Sequence, residues 1–353
     1  MGRLKVGVIG AGGSIAACHI GAYLKNPDAE LYALCDIDEA RLKTAAEKYN
    51  VSRAFTDINA LLELSELDAV SVCTWNNSHA ECAIAALNRG KHVLCEKPPA
   101  VTVGQAAAMK EAADRNGKLL MFGFVRRFGN DYRILKDLIG GGFLGEIYFA
   151  KAVYLRRDGN PGGWFGDKSR SGGGPLIDLG VHVIDFVRSI AGNPRPVSVY
   201  AVTYQKLFDR KNIKCGEKYT ASGRSENDVC DVEDLAAALI RFDGGLTLSV
   251  ETSFALNLKN DVGKIELFGT KGGAKLDPEL EIYTETNDYL TNVSFAANTA
   301  LSFDGLFENE ISHFVDCLTK GEPCLSPAQD GIDIMKIIAA VYRSAETGHE
   351  VSL

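Results

Sequence analysis

The residues best suited to chemistry share one stretch, Gly172-Gly173-Gly174-Pro175-Leu176-Ile177-Asp178-Leu179-Gly180-Val181-His182-Val183-Ile184-Asp185. A glycine run leads into Pro175, a residue tolerated in a first helical turn. Leu176, Leu179, Val183 and Phe186 recur at helical spacing and predict a buried stripe. Asp178, His182 and Asp185 stand at i, i+4 and i+7, which on a regular helix lines two carboxylates and an imidazole along one face. An imidazole one turn from a carboxylate is a proton-transfer pair able to work near neutral pH. Alone, a D-x-x-x-H spacing reads more readily as a solvated helix face. The glycine run and the motifs upstream reverse that preference.

The second group is Glu96-Lys97-Pro98-Pro99, just after the apolar run His92-Val93-Leu94-Cys95. A lysine in a strand-exit loop is usually only solvated, but here two prolines fix the backbone around it. An ammonium held there can bind a reacting oxygen and stabilise negative charge on it. A third group is Gly10-Ala11-Gly12-Gly13-Ser14-Ile15-Ala16, which follows the strand Leu4–Ile9 and opens a helical pattern reaching about Asn26. Strand, glycine turn and helix form the context of a dinucleotide fingerprint, in which the backbone approaches a pyrophosphate at a helix N-terminus. Gly10 and Gly12 fit its first two positions. The third small residue falls on Ile15, or on Ala16 if the loop is one residue longer. Asp36, about 25 residues after Gly10, ends the next strand, where a carboxylate can bond ribose hydroxyls and repel a 2′-phosphate. NAD is therefore the expected cofactor, with Arg41 nearby keeping NADP open.

These groups need elements to position them. Strands at Ala69–Cys73, His92–Cys95 and Leu119–Phe122 alternate with helices at His79–Asn88 and Val103–Asn116, a βα repeat that predicts a doubly wound parallel sheet. Asp36, the loop Thr74-Trp75-Asn76-Asn77-Ser78-His79 and Glu96-Lys97 all fall at the carboxyl ends of strands, where such folds hold ligands. Beyond a helix from Tyr132 and the run Gly140-Gly141-Gly142 the chain turns β-rich. Strands are expected at Glu146–Leu155, Val197–Tyr204, Leu235–Phe242, Leu246–Phe254, Lys264–Phe268, Ala274–Leu276 and Glu281–Tyr283. Asp243-Gly244-Gly245 and Lys271-Gly272-Gly273 supply hairpin turns, which implies an antiparallel sheet. Covered on one side, such a sheet exposes an apolar face. Trp164 and Phe165 stand in a Gly-rich loop, placed either to stack on a sugar or nicotinamide or simply to anchor the loop. Asp209 to Asp234 reads as a polar insertion.

The composition sets the class. The 353 residues suffice for two domains, and 46% hydrophobic with 24% charged residues is ordinary for a globular protein. The net charge of -8 and scattered basic residues argue against nucleic acid. No run reaches membrane-span length and the N-terminus lacks a signal-peptide core, so a cytoplasmic protein is expected. Nine cysteines, with no C-x-x-C, suit reduced thiols, and no metal is expected. Cys215 and Cys230 flank a loop within the polar insertion and could be reactive, although surface thiols without a role are the plainer reading.

The Gly10 turn, Thr74-Trp75-Asn76-Asn77-Ser78-His79, Glu96-Lys97-Pro98, Gly172 to Asp185, and the run from Glu310 through Asp316 followed by Gly331 to Ser344 resemble, in order and spacing, the Gfo/Idh/MocA oxidoreductases of the glucose–fructose oxidoreductase and inositol dehydrogenase type. The resemblance implies a Rossmann domain over 1–123 and a substrate and oligomerisation domain over 124–353 with an open-faced, mostly antiparallel sheet, its last helices packing back on the first domain. It implies NAD or NADP, bound through Gly10, Gly12, Gly13, Ser14, Ile15, Asp36, Thr74, Trp75, Asn76, His79, Glu96 and Lys97. Lys97 then touches the reacting hydroxyl, Asp178 binds substrate and His182 is the acid/base. Arg127 and Trp164 are further substrate contacts, an ion pair being the plainer reading of Arg127. The implied activity is oxidation of a secondary hydroxyl of a pyranose, glycoside or cyclitol in a homodimer or homotetramer. Alternatives are an inositol dehydrogenase, an NAD-dependent glycoside hydrolase and a non-catalytic cofactor sensor. The family's Thr-Pro-Asn stands here as Thr74-Trp75-Asn76.

Overall fold

The structure, a computed structural model, describes residues 2–207, 210, 213, 220–221, 224–225, 228–300 and 305–353. The chain divides into two compact units, Met1–Phe128 with Phe303–Ile332, and Gly129–Ser302 with Asp333–Leu353.

The first unit begins with β1 (Leu4–Ile9), α1 (Ser14–Lys25), β2 (Ala29–Cys35), α2 (Glu39–Tyr49), β3 (Ala54–Phe55) and α3 (Ile58–Leu62). It continues with β4 (Ala69–Val72), α4 (His79–Asn88), β5 (His92–Glu96), α5 (Val103–Asn116) and β6 (Leu120–Gly123). The sheet order is β3-β2-β1-β4-β5-β6, and every pairing is parallel. This is the doubly wound order expected from the βα repeat. Its strands are nearly unbroken apolar runs, with β4 and β6 buried throughout, because both faces of such a sheet are covered. The order reverses between β1 and β4, which opens a crevice beyond their carboxyl ends.

The second unit holds α6 (Asn130–Gly140), β7 (Ile147–Leu155), α7 (Lys168–Ser171), α8 (Val181–Ile190), β8 (Pro196–Tyr204), β9 (Leu235–Phe242) and β10 (Thr247–Ser253). Then follow β11 (Val262–Gly269), β12 (Gly272–Leu276), β13 (Glu281–Thr286) and β14 (Tyr289–Val293). The chain closes with α9 (Leu306–Thr319), whose residues fall in the first unit, α10 (Ala328–Thr347) and β15 (Val351–Ser352). In the first unit's core, Ile311, Phe314 and Val315 of α9 join Val6, Ile20 and Tyr23.

The second sheet runs β14-β13-β12-β11-β7-β10-β9-β8-β15. Its pairings are antiparallel except β7 with β10, so it is mixed but mostly antiparallel. Ala150, Ala152, Leu248, Val250 and Ile240 share the buried face, on which α8 packs against β7 and β10. The other face is not the plainly apolar surface expected. It alternates Phe149, Phe268, Leu239 and Tyr200 with Lys151, Glu251, Lys264 and Glu266.

The helix expected from Pro175 onward is regular only from Val181. Leu176–Gly180 form a wide turn with i→i+5 bonding, a rare conformation found chiefly at functional sites. Gly180 permits it: a Cβ there would lie 3.2 Å from both Leu176 Cδ1 and Thr252 Cγ2. The simple helical ladder of Asp178, His182 and Asp185 is therefore broken between its first and second members. Strands β14 and β15 lie outside the segments anticipated from alternation. Most of the stretch from Asp209 to Asp234, Cys215 included, lies outside the described residues.

Candidate active site

In the first unit the glycine turn lies at the sheet reversal. Gly10 has φ +83, and a Cβ on it would sit 2.6 Å from the Cys73 carbonyl oxygen, so only glycine fits where β1 and β4 end side by side. Gly10 and Ala11 both donate to the Cys35 carbonyl, tying the turn to β2. Ala16 is fully buried while Ile15 is half-buried, so Ala16 takes the third small position and the loop carries the extra residue. Gly13 occupies the N-cap of α1 with no side chain capping it. A helix start left open in this way, beside glycines that admit no Cβ, suits a pyrophosphate.

Asp36 sits at the tip of β2. Its Oδ2 accepts from the Gly12 amide at 2.8 Å and its Oδ1 from the Asp38 amide at 2.9 Å. The carboxylate thus organises the glycine turn as well as facing it. Gly12 and Gly13 line a cleft of about 320 Å³ together with Arg41, Thr44 and Lys48. Arg41 Nε lies 3.2 Å from Asp38 Oδ2. These residues fit the adenosine and pyrophosphate of a dinucleotide.

The loop after β4 and the loop after β5 are joined by His79. It is buried, its Nδ1 lies 2.8 Å from the Pro98 carbonyl oxygen and its Nε2 lies 3.2 Å from that of Thr74. Burial holds its pKa below the usual histidine value, outweighing the two carbonyl contacts. His79 therefore braces the loops and does not present a ring nitrogen outward, contrary to its expected place on the cofactor. Asn76 is buried, Thr74 half-buried and Trp75 exposed.

Glu96 also turns inward. Its Oε1 lies 2.8 Å from His19 Nε2 on α1, and its Oε2 accepts from the Lys97 amide at 3.1 Å. Burial by itself would raise this carboxyl, but the hydrogen bond and charge of His19, with Lys97, hold it below its ordinary range. His19 Nδ1 meets Ser71 Oγ at 3.2 Å, and Tyr23 completes the chain at 2.8 Å. Glu310 of α9 closes the cluster: a carboxylate oxygen lies within 4.8 Å of the His19 and Glu96 atoms, and neither oxygen has a hydrogen-bond partner. Burial, with the Glu96 charge behind it, pushes the Glu310 carboxyl well up. Lys97 itself is half-buried on this braced loop. So Glu96, expected on the cofactor, is a buried anchor of Lys97. His19 and Glu310 were missed, because nothing local marks a histidine in α1 or a glutamate in α9 as partners.

Arg127, expected to meet substrate, is only 3% exposed. Its Nη1 donates to Asp330 Oδ2 at 2.8 Å and to the Leu325 carbonyl, and its guanidinium lies over Phe124. The charge is used inside the first unit, as a buried ion pair.

In the second unit, His182 is the one residue of α8 that is not fully buried. Asp178 lies in the wide turn just before it, at 9% exposure. The glycine run ahead of both is gripped by a residue with no local signal. Glu233 accepts from the Gly174 amide at 3.0 Å, the Leu176 amide at 3.1 Å and the Tyr342 hydroxyl at 3.0 Å. Burial pushes the Glu233 carboxyl up despite these bonds. The fit leaves no room: a Cβ on Gly173 would fall 1.9 Å from Tyr342 Oη, and one on Gly174 would fall 2.3 Å from the Glu233 carbonyl oxygen. Trp164 is half-buried and stacks on Phe165 with ring centroids 4.0 Å apart. That loop is pinned by the described end of the polar stretch, where Asp228 Oδ2 accepts from Gly163 at 2.7 Å and Asp231 Oδ1 from Lys168 at 2.7 Å. Cys230 is half-buried, with its thiol raised mainly by burial, which does not suit a reactive cysteine.

Comparison with known proteins places the family and the fold. Residues 4–124 match the family model described as "Oxidoreductase family, NAD-binding Rossmann fold", and residues 132–275 match the "GFO/IDH/MocA C-terminal domain". D-glucoside 3-dehydrogenase of Escherichia coli is 37% identical over 352 residues, 99% of this chain and 97% of that protein. Myo-inositol 2-dehydrogenase of Thermotoga maritima is 28% identical, covering 99% and 98%. Among solved structures, levoglucosan dehydrogenase in complex with NADH superposes with a TM-score of 0.86 at 25% identity, covering 99% of each chain. Among the described residues, no helix is long and apolar enough to cross a membrane.

Proposed function

The chain belongs to the Gfo/Idh/MocA oxidoreductase family, and from that premise we propose that it is an NAD-dependent dehydrogenase oxidising a secondary hydroxyl of a pyranose glycoside to the ketone. The observation that carries the chemistry is His182, half-exposed on a helix otherwise buried from end to end. An imidazole at such a position, next to a wide turn bearing Asp178, is suited to take the proton of a bound hydroxyl. Asp178 accepts a bond from the sugar and orients the ring. Lys97, on a loop locked by Glu96 and His79, donates to the alkoxide oxygen as charge develops there. Gly10, Gly12, Gly13, Ser14, Ile15, Asp36 and the Thr74–Asn76 loop would hold the dinucleotide. When bound, the nicotinamide accepts the hydride released from the carbon. Trp164 supplies a flat apolar surface for a sugar face.

The glycoside class is favoured over inositols by the greater likeness to a glucoside dehydrogenase. The test is nicotinamide absorbance with NAD or NADP and a panel of glucose, glucosides, galactose, anhydrosugars and inositols. Substrate-dependent reduction of NAD by a glucoside is expected, with His182→Asn slower by roughly 10²- to 10⁴-fold. Glycoside cleavage without net reduction would identify a hydrolase, and tight NAD binding without turnover a sensor; either result overturns the proposal.

A further inference from the structure

A second group of chemically capable side chains gathers in the first unit, at the end of α9. His313 and Cys317 lie one turn apart on that helix, and Cys324 returns from the connection that follows it. Cys317 Sγ lies 3.4 Å from His313 Nε2. The Cys317 and Cys324 sulfurs lie within 4.8 Å of one another. One ligand atom from each of the three residues falls within 4.8 Å of the other two. Zinc–sulfur bonds of about 2.3 Å and zinc–nitrogen bonds of about 2.0–2.1 Å, at tetrahedral angles, set an N···S edge of about 3.5 Å and an S···S edge of about 3.8 Å. The His313–Cys317 separation already matches the first edge.

The ring is also turned the right way. The Leu325 amide donates to His313 Nε2 at 3.0 Å, so that nitrogen carries the lone pair and the proton sits on Nδ1. Nδ1 faces Glu322 Oε2 at 3.9 Å. A carboxylate behind the imidazole and a soft-ligand cluster before it is the usual order around a metal-bound histidine. Burial holds the His313 pKa below its usual value. All three ligands are half-buried, which leaves a path for an ion.

We propose that His313, Cys317 and Cys324 bind one zinc ion, with solvent as the fourth ligand, fastening the connection after α9 to that helix. The spacing, H-x3-C-x6-C, departs from common zinc patterns, and the sequence reading accordingly expected no metal. Binding releases the two thiol protons to solvent, and the ion replaces the Leu325 N–H at Nε2. The connection is otherwise tied by Ser326, whose hydroxyl donates to the Phe122 carbonyl at 2.6 Å.

The test uses the full-length chain, isolated with a thiol reductant and stripped by a chelator. Cobalt(II) titration should produce a thiolate-to-cobalt absorption band saturating at about one ion per chain and abolished by zinc. Saturating zinc should raise the melting temperature by about 5 °C. Cys324→Ser should lose both effects, whereas Cys18→Ser, which removes an exposed thiol on α1, should keep both. Absence of the cobalt band in the unaltered chain overturns the proposal, as does an equal band in Cys324→Ser. Isolation of the chain with Cys317 and Cys324 joined as a disulfide also overturns it.

Discussion

Asp36 holds the Gly12 amide with one carboxylate oxygen, and the proposed use of NAD has that carboxylate repel a 2′-phosphate. Asp36→Ser should lower kcat/KM with NAD by roughly tenfold, about the loss of one charge-assisted hydrogen bond, while improving use of NADP. Unchanged NAD:NADP discrimination would show that the cofactor is read elsewhere. Glu310 gives a prediction in pH. Its folded pKa lies above the unfolded one, so it binds a proton more tightly in the folded chain. Its contribution is intact below the ordinary carboxyl range and is lost as pH climbs from there toward the raised folded value. Glu310→Gln removes that slope. The variant should be the more stable by on the order of 1 kcal/mol near pH 8, with little advantage near pH 4. Parallel melting curves across pH would refute this. At this scale the sequence was readable where chemistry is local. Lys97 between Glu96 and two prolines, and Asp178 four residues before His182, announce themselves. The inward contacts of Glu96, His79 and Arg127 had no local signal, because they depend on partners far along the chain: His19, Pro98 and Asp330.

Among elements, the wide turn Leu176–Gly180 and the glycine run before it act as one device, gripped by Glu233 and Tyr342. Glu233→Ala leaves two buried amides without acceptors and should destabilise by roughly 2–5 kcal/mol. Tyr342→Phe removes one hydrogen bond and should destabilise by about 1 kcal/mol. If the device positions Asp178 and His182, Tyr342→Phe should also raise KM for the sugar while leaving KM for NAD alone. Equal changes in both would mark a merely structural residue. Periodicity made most elements visible: β9, α4 and α5 fall where alternation and helical spacing put them. It could not reveal the wide turn, since Leu176, Leu179 and Val183 fit a regular helix equally well. It also passed over β14 and β15. The first has little burial on either side, and the second is two residues paired with β8 at the sheet's edge.

For the whole molecule, the outer face of the second sheet is where a test of assembly belongs. Tyr200, Tyr204 and Leu239 are between 44% and 50% exposed there, beside Phe149 and Phe268, whose rings lie 6.0 Å apart. Half-open aromatic surface of this kind, on β8 with β9 and on β7 with β11, is characteristic of an interface. The interleaved charges do not oppose this, because opposite signs are already matched within the face: Lys264 with Glu266 at 2.9 Å, and Lys275 with Glu281 at 2.8 Å. A symmetric partner laying the same face down would cover the aromatic rows with part of the charge already paired within each copy. Light scattering should therefore give at least twice the chain mass of 38.1 kDa. Leu239→Arg places a cation in the middle of the patch and should halve the observed mass at micromolar concentration. Leu239 is exposed, so the change should leave the circular dichroism unaltered. A unit chain mass for the unaltered protein would mean that the face is stable in water, its matched ion pairs sufficing to keep it soluble. If the mass halves and sugar oxidation persists, the paired face is architectural and each chain carries a whole site. If oxidation fails with it, pairing also sustains the arrangement of α8, which packs on the opposite side of the same strands β7 and β10.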